Sequence, residues 1–159
     1  MAIADLIDFV RLSDVPTEAI VRHMSDPRMA QHMPLLEGEW DRDRAIAFIA
    51  TKETCWTRDG LGHWAFLHKG DYVGWGGFQK EGEEWDLGLV LVPEHFGLGP
   101  RIVQKALAFA RADARIPHAT FMLPPSRNNL GALARLGATR VADVIHDGKR
   151  FLKFRLNTG

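Results

Sequence analysis

The chain has 159 residues, 46% of them hydrophobic, which suits one compact globular domain spanning residues 1–159. Its 20 basic and 20 acidic residues give a formal net charge of zero, and neither sign forms a long run. This balance argues against a nucleic acid or an anionic membrane as the main partner, because clustered positive charge drives both kinds of binding.

The first 60 residues predict one strand followed by two helices. Apolar and polar residues nearly alternate over residues 6–12, as in a strand. A short helix opens near Pro16, because proline is tolerated in a first helical turn, and Pro27 interrupts it. A second helix begins at Asp41, and its apolar periodicity predicts an end near Glu53.

From residue 63 the hydrophobic period changes to two, which predicts antiparallel strands joined by tight turns. The third of these strands is an almost continuous apolar run, as expected of a strand covered on both faces. An amphipathic helix follows Gly99. The predicted elements from residue 63 onward are strands over 63–69, 72–79 and 85–92, the helix after Gly99, a strand over 119–123, a helix over 128–136, and strands over 140–145 and 150–156.

This order of elements predicts an α/β fold built on a mixed, mostly antiparallel sheet flanked by helices. The strand–helix–strand unit over residues 85–123 implies a right-handed crossover, and therefore one parallel pair of strands. Trp64, Trp75 and Trp85 fall on three consecutive predicted strands, where they are expected to form one aromatic cluster, mainly for core packing.

The segment over residues 93–101 lies between a buried strand and an amphipathic helix, where a phosphate-binding loop belongs. The first amides of a helix have no internal acceptor, and the helix dipole places partial positive charge there. Gly97 and Gly99 let the backbone approach a ligand, and Pro100 suits the helix start. Two glycines in such a turn serve as plain turn residues about as often, so the loop by itself indicates phosphate binding weakly.

Two longer motifs are more specific. Residues 86–99 read DLGLVLVPEHFGLG, which resembles the strand and loop "G-Y/W-x-L-x-P-E-Y-W-G-K-G" of GNAT superfamily N-acetyltransferases in the branch of the ribosomal-protein N-terminal acetyltransferases. Residues 133–138 read LARLGA and resemble that branch's late helix end, "L-E-K-L-G-F". Matching N-terminal patterns extend the resemblance over essentially the whole chain. It implies a GNAT-like fold and the transfer of an acetyl group from acetyl-CoA to an amine.

The resemblance also implies which residues hold acetyl-CoA. In this family the strand before the loop splays from its neighbour, and its free main-chain groups hold the pantetheine arm, while the loop amides hold the pyrophosphate. The implied pantetheine residues are Leu89, Val90, Leu91 and Val92. The implied pyrophosphate residues are Phe96, Gly97, Leu98, Gly99, Pro100 and Arg101.

The loop departs from the family pattern and can be aligned in two registers. The register that keeps Pro93 in place puts Phe96 where relatives carry Gln or Arg, and Arg101 at the final small residue. The other register puts Glu94 at the first position, against a polyanion, and is less favoured. Arg101 then either pairs with a cofactor phosphate or is a solvated arginine of the first helical turn.

Asp86 stands where relatives often carry a carboxylate on the strand that leads to the loop, and it is the candidate general base. Such a role would require burial or a nearby like charge to raise its pKa, and Glu84 could supply that charge or serve instead. Many relatives use a tyrosine of the late helix as acid, but Leu133 occupies that place and the one tyrosine is Tyr72. Asn129 lies where relatives carry a polar residue at the start of the late helix, so it either contacts the sulfur or the pantetheine amides of the cofactor or solvates the first helical turn.

The expected partner is a small-molecule or peptide amine: a protein N-terminus, an amino acid or a small amine. The alternative is a non-catalytic acyl-CoA-binding sensor module, which the missing tyrosine keeps open. The seven histidines lack metal-ligand spacing, so no metal is expected. A homodimer is possible through the strand over 150–156. A single cysteine, Cys55, fits a reducing, cytoplasmic setting and is interpreted as a packing residue.

Overall fold

A seven-stranded sheet organises the chain in the computed structural model, which describes residues 6–31, 38–123, 137–146 and 148–158. The strand order is β1-β2-β3-β4-β5-β7-β6, and every neighbouring pair is antiparallel except β4 and β5. This mixed sheet confirms the predicted fold class. The strands are β1 (Ile7–Arg11), β2 (His63–His68), β3 (Asp71–Glu81), β4 (Glu84–Leu91), β5 (His118–Leu123), β6 (Thr139–His146) and β7 (Lys149–Asn157).

Three α-helices flank the sheet in the described residues: α1 (Thr17–Met24), α2 (Arg42–Asp59) and α3 (Gly99–Arg111). Asp41 caps α2, because its carboxylate accepts a hydrogen bond of 2.8 Å from the Arg44 amide. The helix ends only at Gly60, which takes a left-handed φ of +76°. Glu53 was therefore the wrong end for α2: its apolar pattern fades there, but nothing stops the backbone before Gly60. The predicted helix over 128–136 lies outside the described residues.

The sheet carries a hydrophobic core on each face. The first core lies against α3 and includes Trp64 and Trp85, whereas the second lies against α1 and α2 and includes Trp75. The predicted single cluster of tryptophans is therefore wrong. Trp64 and Trp75 lie on adjacent strands but point to opposite faces, because successive side chains alternate and Trp75 pairs with Ala65 rather than with Trp64.

The outer edge of the sheet is β6. The strand that the sequence offered for dimer contact, β7, lies between β5 and β6 and is paired on both sides. The chain returns through the turn at Gly148, with a φ of +76°, so the hairpin places β6 outside β7. Any contact along a sheet edge at this end would therefore involve β6.

Glycines on β3 leave no room for a side chain against the main chain of β4. A Cβ atom on Gly76 would lie 2.2 Å from the carbonyl oxygen of Gly88, and Gly76 has a φ of +157°. Even the smallest side chain would therefore push β4 away from β3. The position of β4 matters because the candidate site is built on its other edge.

We expect Gly76→Ala to lower the free energy of unfolding by about 3 kcal/mol, since the added methyl group combines overpacking with a positive φ. Gly82→Ala is the matched control: Gly82 has a φ of +63° in the β3–β4 turn, but a Cβ there would meet nothing within 4 Å. It should lose only about 1 kcal/mol. Urea denaturation of both variants measures the difference, and equal losses would contradict the close approach.

Candidate functional site

The candidate site begins where β4 and β5 separate. Both strands lie entirely within the described residues, and they pair only at Trp85 with Ala119 and at Asp86 with Thr120. β4 continues to Leu91 with its other edge paired to β3 throughout. A gap therefore opens between two parallel strands directly after Asp86.

The main-chain groups of β4 point alternately toward β3 and toward this gap. The Val92 amide donates to the Val73 carbonyl at 2.8 Å, so the main-chain groups of Val90 and Gly88 also face β3. The intervening residues, Leu89 and Leu91, turn theirs toward the gap, as does Leu87. The Val92 carbonyl accepts from the His95 amide at 2.8 Å. Of the four residues predicted to hold a pantetheine arm, Leu89 and Leu91 alone direct their main chain into the gap.

The loop that follows β4 is wound as a short 3₁₀ helix, Pro93–Leu98, and passes directly into α3 at Gly99. No side chain caps α3, whose first turn contains Pro100. Gly97 is exposed, and a Cβ atom there would meet nothing within 4 Å. The loop thus presents an open backbone surface at the positive end of the α3 dipole, which suits an anion.

Gly99 has a different role from Gly97. It is buried, and a Cβ atom there would lie 3.8 Å from the side chains of Leu89 and Leu91. Gly99 thereby packs the start of α3 directly on β4. Phe96, 42% exposed, and the exposed Arg101 lie on either side of the two glycines, as the sequence order requires.

Arg28 neutralises the acidic residue of the loop. Its guanidinium group contacts the carboxylate of Asp26 at 2.6 Å and also that of Glu94. The hydrogen bond from Arg28 lowers the pKa of Glu94, which therefore stays ionised but paired. Sequence reasoning missed this contact, because 66 positions separate Arg28 from Glu94 and no local pattern links them.

Asp86 lies at the last paired position before the gap. Burial raises the pKa of its carboxyl group to about 7, outweighing the hydrogen bond of 3.1 Å that Thr120 donates to it. Glu84, the residue expected to raise that pKa, contributes less than burial does and forms an ion pair with Lys153. Near neutral pH such a carboxyl group is partly ionised and can both accept and release a proton.

The one tyrosine is engaged elsewhere. The Tyr72 hydroxyl lies 2.6 Å from Nδ1 of His23, and His23 is buried while Tyr72 is half-buried. Burial raises the pKa of Tyr72 well above its ordinary value and lowers that of His23 to about 4. Tyr72 lies at the start of β3, whereas Gln79, opposite Asp86, lies near its end. Asn129 and Leu133 lie outside the described residues.

The whole arrangement matches a known domain. The profile of the acetyltransferase (GNAT) domain matches residues 6–139 of the chain. The chain belongs to the GNAT acetyltransferase family. No curated protein sequence is significantly similar to this GNAT chain.

Solved structures share the fold of this GNAT domain at low sequence identity. An acetyltransferase from Agrobacterium tumefaciens has 21% identity and a TM-score of 0.73, over 95% of this chain and 90% of that one. A spermidine N-acetyltransferase from Vibrio cholerae, solved with CoA and spermine, has 8% identity and a TM-score of 0.75, over 98% and 97%. RimL, a ribosomal alpha-N-protein acetyltransferase solved with coenzyme A, has 11% identity and a TM-score of 0.78, over 98% and 96%.

The described part of this GNAT chain contains neither a cluster of metal-ligating side chains nor a membrane-spanning helix. No group of three or more His, Cys, Asp or Glu side chains there could hold a metal ion. No helix there is long and apolar enough to span a membrane.

We expect Asp86→Asn to stabilise the fold at alkaline pH. Because the folded-state pKa of Asp86 is raised to about 7 from 3.8, the folded state holds its proton more tightly, and stability falls as pH rises between those values. At about 1.4 kcal/mol per pKa unit, the variant should gain up to ~4 kcal/mol at pH 8 and nothing at pH 3.

Urea denaturation across that pH range measures the gain. Asp143→Asn is a control of opposite sign, since the guanidinium groups of Arg140 and Arg150 lower the pKa of Asp143. It should lower stability at pH 8. A pH-independent difference between wild type and Asp86→Asn would contradict the raised pKa.

Proposed function

We propose that this protein is an N-acetyltransferase that moves an acetyl group from acetyl-CoA to a primary amine by direct attack. The observation that carries the proposal is the separation of β4 from β5 after Asp86, which leaves main-chain groups of β4 facing a gap that leads into the glycine loop. The GNAT family assignment supports acetyl transfer, and relatives solved with CoA support the cofactor.

The gap fits the pantetheine arm of acetyl-CoA, and the loop fits its pyrophosphate. Pantetheine carries two amide groups, which match the outward N–H and C=O groups of Leu89 and Leu91. The pyrophosphate carries negative charge, which matches the exposed backbone at Gly97 and the start of α3. We assign Phe96, Leu98, Pro100 and Arg101 to the rim of this phosphate cradle.

Asp86 is proposed as the general base. Acetyl-CoA supplies an activated thioester carbonyl. The amine nitrogen bonds to the carbonyl carbon, the C–S bond breaks, and the proton lost by nitrogen passes to the carboxylate of Asp86, directly or through water. The CoA thiolate needs little help in leaving, since a thiol has a pKa of about 8.5, and it takes a proton from solvent. The missing tyrosine therefore does not prevent turnover.

The acceptor is proposed to be a primary amine, either a small molecule or a peptide N-terminus. The names of two relatives, a spermidine and a ribosomal alpha-N-protein acetyltransferase, illustrate this range. Cys55 is buried and free, and we propose a reducing cytoplasm as the setting. A non-catalytic acyl-CoA sensor is the second candidate, favoured by the engagement of Tyr72 with His23.

Charge reversal at Gly97 tests the phosphate cradle. Gly97→Glu should weaken acetyl-CoA binding about tenfold or more, because it places a carboxylate beside the pyrophosphate, whereas Gly97→Lys should bind as well as wild type or better. Both side chains extend into open space, so thermal unfolding should not separate the variants. Calorimetric titration with acetyl-CoA measures affinity, and equal affinities would place the cradle elsewhere.

The reaction itself is tested by free thiol release from acetyl-CoA with a panel of peptides, amino acids and small amines. We expect turnover with at least one amine, and Asp86→Asn should lower kcat by about 10²-fold or more at unchanged acetyl-CoA affinity. Saturable binding without thiol release from any acceptor would favour the sensor. An unchanged pH–rate profile in Asp86→Asn would remove the base assignment.

A further inference from the structure

A buried histidine, His63, lies in register with glycines of the next two strands of the sheet. His63 on β2, Gly77 on β3 and Gly88 on β4 are paired in one row across three strands. The row lies on the sheet face covered by α1 and α2, between the row of Gln79 and Asp86 and the row of Trp75 and Val90. Of the two glycines, Gly88 borders the imidazole of His63, whereas a Cβ atom on Gly77 would meet Trp64 instead.

The imidazole reaches β4 close to the point where the gap opens. Its Cε1 and Nε2 atoms lie 3.6 Å from the position of a Cβ atom on Gly88. Gly88 lies two residues beyond Asp86, the last residue of β4 that pairs with β5. His63 therefore brings a side-chain polar group over β4, two residues beyond the start of the gap.

The backbone and the ring of His63 are both held in place. Its carbonyl oxygen accepts a hydrogen bond of 2.9 Å from the indole N–H of Trp56. Its ring packs on Trp75 with a centroid distance of 5.5 Å, and the residue is only 7% exposed. A buried side chain fixed in this way is preorganised, as groups that stabilise developing charge usually are.

The surroundings of His63 keep the ring neutral. Burial lowers the pKa of His63 well below its ordinary value, and the nearby ammonium group of Lys52 on α2 lowers it further. Trp75 faces the ring from β3, and Asp86 projects from β4 in the adjacent row. Asp86 has the opposite perturbation, a raised pKa, so the two groups are suited to different tasks.

The neutral ring carries one N–H, and its position follows from the hydrogen bonding. Nδ1 is buried with no hydrogen-bond partner among the described residues. A buried N–H without an acceptor is rarer in proteins than an unpaired acceptor, so the proton is favoured on Nε2, the atom next to Gly88. The N–H donor then lies beside Gly88, two residues beyond the last residue of β4 that pairs with β5.

We propose that His63 donates a hydrogen bond from Nε2 to the acyl carbonyl oxygen of bound acetyl-CoA. The inference rests on the proposed function. The hydrogen bond polarises the carbonyl and stabilises the negative charge that develops on its oxygen as the amine nitrogen bonds to carbon. That charge returns to the carbonyl when the C–S bond breaks and the electron pair leaves with sulfur. His63 keeps its proton throughout, and Asp86 takes the proton from the amine.

A pair of polar variants tests the assignment. His63→Gln places an amide N–H near the position of Nε2, whereas His63→Asn places one near Nδ1, and His63→Leu removes the donor. We expect His63→Leu and His63→Asn to lower kcat/KM by about 10²-fold, and His63→Gln to retain most of the activity. Acetyl-CoA affinity and the thermal midpoint should not follow this order. If His63 had only a structural role, affinity and thermal midpoint would fall in the same order as the activity.

A spectroscopic measurement separates this inference from the proposed function, because it needs no acceptor. The stretching frequency of acetyl-CoA labelled with ¹³C at the acetyl carbonyl is measured by infrared difference spectroscopy, free and bound. The band should shift to lower frequency on binding to wild type and His63→Gln, and this shift should be reduced in His63→Asn and His63→Leu.

The spectra and the binding measurements distinguish failure of the His63 role from failure of the proposed acetyl transfer. Equal band positions in all bound forms would overturn the role of His63 and leave the proposed acetyl transfer standing. Absence of acetyl-CoA binding to the wild type would overturn the proposed function, and this inference with it. If His63→Leu fails to fold, the comparison between His63→Gln and His63→Asn decides the question.

Discussion

Hydrogen bonding of the main chain is the constraint on which the site depends. A strand has donors and acceptors on both edges, and in β4 one edge is fully used by β3. The other edge loses its partner after Asp86, because β5 diverges. Peptide groups there must be satisfied by water or by a ligand, and a ligand that carries amide groups at strand spacing can replace the missing strand. The close approach of β3 at Gly76 holds that open edge in position.

Burial gives two titratable groups near this edge opposite properties. It raises the pKa of Asp86 toward neutrality and keeps His63 uncharged, since it disfavours the charged form of each. Asp86 can therefore take up a proton near pH 7, while the neutral His63 is the proposed hydrogen-bond donor. Both lie on the face of the sheet covered by α1 and α2, so an acceptor that approaches from that face would meet both.

The sequence predicted the succession of strands along the chain and the one parallel pair, because periodicity and turn residues are local signals. It also predicted that α2 begins at Asp41, but not that it continues to Asp59, since an end depends on Gly60 rather than on apolar spacing. The sequence placed the three tryptophans on neighbouring strands, but it did not contain the register of those strands. The core that each tryptophan faces could therefore not be predicted. Placing β7 inside the sheet required knowledge of pairing, which hydrophobicity does not contain.

Some residues of the candidate site could also be predicted from the sequence, and others could not. The loop and Asp86 stood out because a motif surrounds them, and the resemblance supplied their proposed roles. Alternation of the main chain, which selects Leu89 and Leu91 over Val90 and Val92, needed the pairing with β3. Arg28 and His63 carried no local signal, because each meets the site only through contacts distant in sequence. Long-range geometry is what a single sequence leaves out.

The packing of Gly99 on Leu89 and Leu91 has a consequence for how such a domain can change. It places the start of α3 directly against the open strand edge, so the two parts proposed to bind the cofactor are in contact with each other. The surfaces of α1 and α2 belong to the opposite face of the sheet. Substitutions on α1 and α2 can therefore change the choice of the proposed acceptor without changing the proposed binding of acetyl-CoA. The specificity for the acceptor and the specificity for the cofactor can then evolve separately.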